Sequence, residues 1–315
     1  MAALDRLIAT MVPLLPRGIV RRVSARYIAG ESLAEVTAIV EDLNRRGRLA
    51  TVDVLGEFVD RLEGVPATTE QYVQVLEVIR ERSLDANISI KLTALGLQVD
   101  PQFCRKQVRR IVERAMALGN FVRIDMEDAT CTDDTLAVFR EFQDEHENVG
   151  IVLQAYLRRT LNDARALGQK AANFRLCKGI YVEPKRIAWK EPDAIRDNYV
   201  RALEVMLDAK SYVGIATHDE TLVWRAMDMI RRRGLDPTEY EFQMLLGVDP
   251  DLEQVILDGG HRLRIYVPYG KAWYSYATRR LRENPAIAGY VFKNLLTMLS
   301  GRARLGRGPL ERSKS

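Results

Sequence analysis

Eight short apolar runs recur along the chain at helix-length intervals, and each ends in polar or chemically capable side chains. They are TVDVLGE (51–57), NISIKLT (87–93), FVRIDMED (121–128), VGIVLQAY (149–156), NFRLCKG (173–179), VGIATHD (213–219), YEFQMLLG (240–247) and HRLRIYVPYG (261–270). Stretches of helical periodicity separate them, such as 103–119 (FCRKQVRRIVERAMALG) and 199–211 (YVRALEVMLDAKS). Eightfold β/α alternation predicts an α/β chain folded as a (βα)8 TIM barrel, whose working face lies at the carboxyl ends of the strands. A doubly wound open sheet alternates too, but it usually offers a glycine-rich first turn. The first turn here, Leu55-Gly56-Glu57-Phe58, has one glycine and no GxGxxG.

The chain of 315 residues suits one such barrel with additions at both ends. The expected division is an N-terminal helical arm over 1–50, a barrel over 51–300 and a disordered basic tail over 301–315. From Arg6 to Gly30 there are five arginines and no acidic residue, which suits a helical arm, a transit peptide or a membrane-surface helix. A hydrophobic fraction of 47%, a charged fraction of 29% and a net charge of +4 describe a soluble globular protein without the basic bias of a nucleic-acid binder. Three cysteines without paired spacing fit a reducing compartment, with Cys177 expected as a buried small hydrophobe. No run has the length to cross a bilayer.

The strand ends carry the chemistry. Lys91 is read as continuing the series Ile88, Ile90 and so pointing into the barrel, as a Schiff-base nucleophile, an anion anchor or the partner of a carboxylate. Asp125 and Glu127 share a face of the third strand, which lets Asp125 pair with Lys91. Arg175 and Lys178 bring positive charge beside Gly179. Thr217, His218 and Asp219 cluster at the sixth strand. Neither histidine nor cysteine stands at metal-ligand spacing, so no metal is expected. After YVPYG, the segment YATRRLRE places Tyr276, the pair Arg279 and Arg280, and Glu283 on one helical side. Paired guanidiniums suit a carboxylate or a phosphate.

With these motifs in this order, the chain resembles the proline dehydrogenase family from about Ser32 to Asn294. The resemblance rests on LGE (55–57), SIKLTALG (89–96), RIDMED (123–128), VLQAY (152–156), RLCKGIY (175–181), ATHD (216–219), EFQMLLG (241–247), YVPYG (266–270) and YATRRLRE (276–283). It implies a distorted (βα)8 barrel with FAD over the carboxyl ends of the strands, and oxidation of L-proline to Δ1-pyrroline-5-carboxylate by hydride transfer from C5 to flavin N5. By resemblance, Lys91, Arg279 and Arg280 hold the substrate carboxylate, Asp125 organises Lys91, and Tyr266, Tyr276, Leu176 and Leu245 shape the ring pocket. Glu57 pairs with Arg279 as a gate. Met126, Gln154, Arg175, Lys178, Gly179, Ile180, Tyr181, Thr217 and His218 match positions that contact FAD, with Arg175 near N5 and Gln154 at the polar edge of the ring. Ile180 and Cys177 stand where the family commonly has alanine and valine.

The resemblance further implies a monofunctional, cytoplasmic enzyme that passes electrons to a membrane quinone, with a separate pyrroline-5-carboxylate dehydrogenase downstream. Peripheral membrane contact through Arg17, Arg21, Arg22 and Arg26 accompanies that expectation. Two other readings are a class I aldolase-like lyase using Lys91 or Lys178, and a non-catalytic barrel scaffold. Neither accounts for the arginine pair, the tyrosines and the THD cluster together.

Overall fold

The computed structural model describes residues 26–56, 59–274, 276 and 277. All eight runs become strands: β1 (Leu49–Val54), β2 (Ala86–Ile90), β3 (Val122–Ile124), β4 (Val149–Gln154), β5 (Phe174–Cys177), β6 (Val213–Ala216), β7 (Tyr240–Leu245) and β8 (Leu263–Tyr269). They are parallel and close in chain order, β8 returning to pair with β1 through the register Val52↔Val267. Helix α1 (Leu33–Arg45) precedes β1. The crossovers are α2 (Val65–Glu81), α3 (Pro101–Ala117), α4 (Thr132–Glu145), α5 (Thr160–Gly168), α6 (Pro192–Asp208), α7 (Glu220–Arg233) and α8 (Pro250–Asp258).

Three of the helices, α1, α3 and α8, begin at a side chain that accepts from a first-turn N–H group. Ser32 and Glu35 form a reciprocal capping box on α1. Asp100 accepts from the N–H groups of Gln102 and Phe103, and Pro101 fits the first turn. That cap starts α3 two residues ahead of the predicted stretch, and the chain leaves the helix through Gly119 at φ 66°. Within the region expected as an arm, α1 buries Val36, Val40 and Leu43 in the core that also holds strand β1. The tail and residues 1–25 of the arm lie outside the described residues. Among the described residues no helix is long and apolar enough to cross a membrane.

Strand alternation sorts the side chains into two environments. Val52, Ile88, Ile90, Val122, Ile124, Phe174, Leu176, Phe242 and Ile265 join the apolar layer under the helices. The opposite faces point inward and are polar: Thr51 donates to Asn87, Arg264 to Glu241 at 2.7 Å, Gln243 to Glu241 at 2.6 Å, and Arg123 to Asn173 O at 2.6 Å. Such a barrel departs from the usual stack of branched apolar side chains. It is held by hydrogen bonds among these side chains, because an unpaired polar group there costs on the order of 1–3 kcal/mol, although Arg123 Nε and Glu241 Oε2 have no hydrogen bond among the described residues. Two small residues make room for the long polar ones. A Cβ at Gly150 would meet Arg123 Nη1 at 2.4 Å, and one at Gly214 would meet Gln243 Nε2 at 2.4 Å.

Candidate active site

The inward face of β2 continues from Asn87 through Ser89 to Lys91. Lys91 therefore does not follow Ile88 and Ile90, which face the helices, and the expected parity is corrected: it points inward because it shares the polar face. Its ammonium donates to Asp53 Oδ1 at 2.6 Å and to Tyr266 Oη at 3.2 Å, with Asp125 Oδ2 at 3.7 Å. The expected Asp125 pairing is thus the longer of two, and the nearer carboxylate comes from β1.

Asp125, just past β3, is the hub. Its Oδ1 accepts from Ser89 Oγ at 2.6 Å and from Arg175 Nη1 at 2.7 Å, and its Oδ2 accepts from Tyr266 Oη at 2.8 Å. Arg175 is tied further by Nε to Gln243 Oε1 at 2.5 Å. Six strands, β1, β2, β3, β5, β7 and β8, thereby contribute to one buried network of two cations and two carboxylates. Glu127 turns away, its carboxylate accepting from Thr93 N at 3.1 Å in the loop after β2.

The charges respond to this packing. Burial alone would raise the Asp125 carboxyl, but Arg175 and Lys91 outweigh it and hold the group below its ordinary value. Burial would lower the Lys91 ammonium, yet Asp53 and Asp125 more than offset that and keep it above its ordinary range. Asp53 goes the other way. Burial lifts it, Lys91 only partly compensates, and repulsion from Asp125 adds to the rise.

The second half of the mouth lies at β4 to β7. Gln154 donates to the carbonyls of Met126 and Glu127, each at 3.2 Å, and its buried Oε1 has no hydrogen bond among the described residues. Gly179 takes φ +100°, and a Cβ there would lie 2.1 Å from the Tyr156 ring, so only glycine lets the chain pass. Ile180 and Tyr181 follow it half-buried. Lys178 and Arg196, the latter from α6, both donate to Asp219 Oδ2, at 3.0 and 2.8 Å. Asp219 titrates below its ordinary range, because those cations outweigh its burial. Thr217 Oγ1 accepts from Asp219 N at 3.0 Å. His218 Nε2 accepts from Leu245 N at 2.9 Å, which puts the ring proton on Nδ1.

Leu245 shares the inward face of β7 with Gln243, at the mouth. Leu176 does not join a pocket: it is the neighbour of Arg175 on β5, faces the helices and is fully buried in the core. Cys177 is half-buried and not buried as expected, since it ends the strand on the face of Arg175. Tyr276 packs with Ile28, Leu55 and Ala277. That contact comes from a segment the sequence did not point to: Ala29 N donates to Pro268 O at 2.9 Å and Gly270 N to Gly30 O at 3.0 Å, which lays residues 28–30 beside the ends of β8 and β1. Glu57, Arg279 and Arg280 lie outside the described residues.

Among the described residues no three His, Cys, Asp or Glu side chains gather as a metal site. Burial pushes the Cys104 and Cys131 thiols up to about 12, so neither is a ready nucleophile.

Known proteins share this arrangement of sequence and fold. The family model for proline dehydrogenase matches residues 36–293. The proline dehydrogenase of Deinococcus radiodurans is 35% identical over 276 residues, covering 86% of this chain and 89% of that protein. Proline dehydrogenase 1 of Bacillus subtilis is 32% identical over 271 residues, covering 86% of this chain and 90% of that protein. In the crystal structure of proline utilization A from Bdellovibrio bacteriovorus, a region superimposes with a TM-score of 0.79 at 24% identity, over 86% of this chain and 34% of the longer one. That similarity speaks to the fold, and the sequence matches go further: the chain belongs to the proline dehydrogenase family.

Proposed function

We propose that this chain oxidises L-proline to Δ1-pyrroline-5-carboxylate with FAD as its cofactor. The observation that carries the reading is the buried Lys91–Asp53–Asp125–Arg175–Tyr266 network at the carboxyl ends of five strands, in a chain of this family. A cation held at a barrel mouth beside a braced tyrosine suits a small carboxylate. It does not suit a Schiff-base lysine, because Asp53 and Asp125 keep Lys91 protonated and an ammonium is no nucleophile.

The residues present fit a flavin. Gln154 Oε1 is a buried acceptor with no donor among the described residues, and an N–H on the polar edge of a flavin ring supplies one. Gly179 lets backbone pass where any side chain would strike Tyr156. Lys178 and Arg196 put positive charge where a phosphate can approach. Met126, Arg175, Ile180, Tyr181, Thr217 and His218 complete the cofactor side of the reading. FAD, when bound, supplies the two-electron acceptor.

The chain's own part is orientation and charge. Lys91 attracts the substrate carboxylate, joined in this proposal by Arg279 and Arg280, with Glu57 pairing Arg279 over the bound substrate. Tyr266, Tyr276 and Leu245 enclose the ring. The substrate amine has to be neutral, since a protonated nitrogen has no lone pair to form the C=N bond. Fixing both ends of a small ring against an acceptor converts encounter into reaction geometry.

Electrons then pass to a membrane quinone, and the product to a separate pyrroline-5-carboxylate dehydrogenase. The basic residues Arg17, Arg21, Arg22 and Arg26 are proposed to bring the enzyme to anionic lipid. The deciding experiment is the visible spectrum of the purified protein with L-proline and without oxygen. Bleaching of a flavin spectrum is the expected result. A protein that neither carries nor binds FAD sinks the reading.

A further inference from the structure

The two carboxylates beside Lys91 are not equivalent. Asp125 spends both oxygens on Ser89, Arg175 and Tyr266, and its closest approach to the ammonium is 3.7 Å. Asp53 lies at 2.6 Å, is fully buried on β1, and among the described residues its Oδ2 has no hydrogen bond. A buried carboxylate is costly unless paired, and among the described residues Lys91 is the cation that pairs it. We propose that Asp53 is the positioning residue of this site: it fixes Lys91, charged, at the barrel mouth, aimed at the carboxylate of the substrate.

This inference rests on the proposed proline oxidation for the identity of the anion. Removing the charge of Asp53 would by itself favour a second anion nearby, by relieving repulsion. Weaker carboxylate binding after its removal therefore reports lost placement of Lys91. The groups that share the environment are Asp125 and Glu127 beyond β3 and Arg175 on β5. Tyr266 and Tyr269 face it from β8, Tyr72 from α2, and Tyr276 from the segment after β8. Burial holds Tyr72, Tyr266 and Tyr269 neutral across the working range, and Asp125 stays ionised. The substrate amine titrates in the same alkaline range, so Lys91 is read by its own NMR signal and not from the kinetic profile.

The test is Asp53→Asn in the FAD-loaded enzyme. KM for L-proline is expected to rise about tenfold with kcat changed much less, and the Lys91 titration followed by NMR to fall by about one pH unit. Cyclopentanecarboxylate, which keeps the carboxylate and lacks the oxidisable amine, is expected to weaken as an inhibitor in parallel. Unchanged inhibition with an unmoved Lys91 titration would overturn the proposal. Should the single variant fail to fold, Lys91→Met with Asp53→Asn carries no unpaired charge and serves instead. Relative to Lys91→Met alone, it is expected to bind cyclopentanecarboxylate at least as tightly, since only the repulsion from Asp53 is removed, whereas a further loss would mean that Asp53 acts independently of Lys91. NMR titration of labelled lysine, with Lys91→Met assigning the signal, reads the same coupling without substrate. An enzyme inert to proline would thus remove the functional reading and leave the Lys91–Asp53 test standing.

Discussion

The Tyr266 hydroxyl donates to Asp125 Oδ2 at 2.8 Å, so a residue of the last strand closes a network that the third and fifth strands begin. The same hydroxyl accepts from Lys91 at 3.2 Å, and the Arg175 guanidinium lies over the Tyr266 ring at 5.2 Å. One phenol therefore bonds a carboxylate and an ammonium and carries a guanidinium on its face.

Tyr266→Phe keeps the ring and removes both hydrogen bonds. A charge-assisted bond of this kind is worth roughly 1.5–3 kcal/mol, so kcat/KM for L-proline is expected to drop by at least about tenfold. Urea unfolding should show a loss on the order of 1–2 kcal/mol, because Asp125 Oδ2 loses its donor. Wild-type kinetics in this variant would mean that the phenol only fills space.

Linkage gives the network a pH signature. The native pKa of Asp125 lies below its ordinary 3.8, so its stabilising effect is fully present above that value and is lost as pH falls through the native one. The native pKa of Lys91 lies above its ordinary 10.5, so its contribution is present below 10.5 and is lost only as pH rises through the native value. Asp53 has the opposite sign to Asp125, since its raised pKa makes the ionised form a burden as pH increases. Asp125→Asn is accordingly expected to destabilise most near neutral pH, with the penalty shrinking as the medium is made acid. Urea midpoints of the two proteins over an acid series check this, and a penalty constant with pH would remove the assigned role of the carboxylate charge.

Much of this was legible because period and punctuation are local. The eight apolar runs became the eight strands, and Lys91, Asp125 and Arg175 stood out as charged side chains at their ends, whereas Tyr266 came from the family resemblance and Ser89 was not read. Parity was misapplied at Lys91, which lies on the face of Ser89, and Leu176 was assigned to the pocket by resemblance although its neighbour Arg175 takes the inward face. Asp53 was missed although TVDVLGE sets a lone carboxylate between two valines, which is itself the signal of an inward charge. Arg196 and Ile28 had no such signal. Arg196 sits in an ordinary amphipathic helix, and Ile28 reaches the mouth through backbone bonds to β8 that no local pattern encodes.

Gly179→Ala tests the passage beside Tyr156. A side chain at φ +100° is strained, and its Cβ would sit 2.1 Å from the ring, so either the loop or Tyr156 has to move. The strain alone costs roughly 1–2 kcal/mol. Expected is a protein with native far-UV circular dichroism and a much reduced flavin-to-protein ratio. Full flavin content would show that the loop after β5 does not shape the cofactor site.

Lys178 separates cofactor binding from stability. Its side chain is 43% exposed and its partner Asp219 keeps Arg196 at 2.8 Å when the lysine is gone. An exposed ion pair contributes at most about 1 kcal/mol, so Lys178→Met is expected to leave the unfolding midpoint nearly unchanged. A charge-assisted contact to a phosphate is worth more, roughly 1.5–3 kcal/mol, which corresponds to a rise in the Kd for FAD of at least about tenfold. Reconstitution of flavin-free protein, followed by quenching of flavin fluorescence, measures that Kd. The loss should also flatten the salt dependence of FAD binding, since one screened attraction has been removed. Equal affinities and equal salt slopes for the two proteins would place the cofactor phosphates away from Lys178.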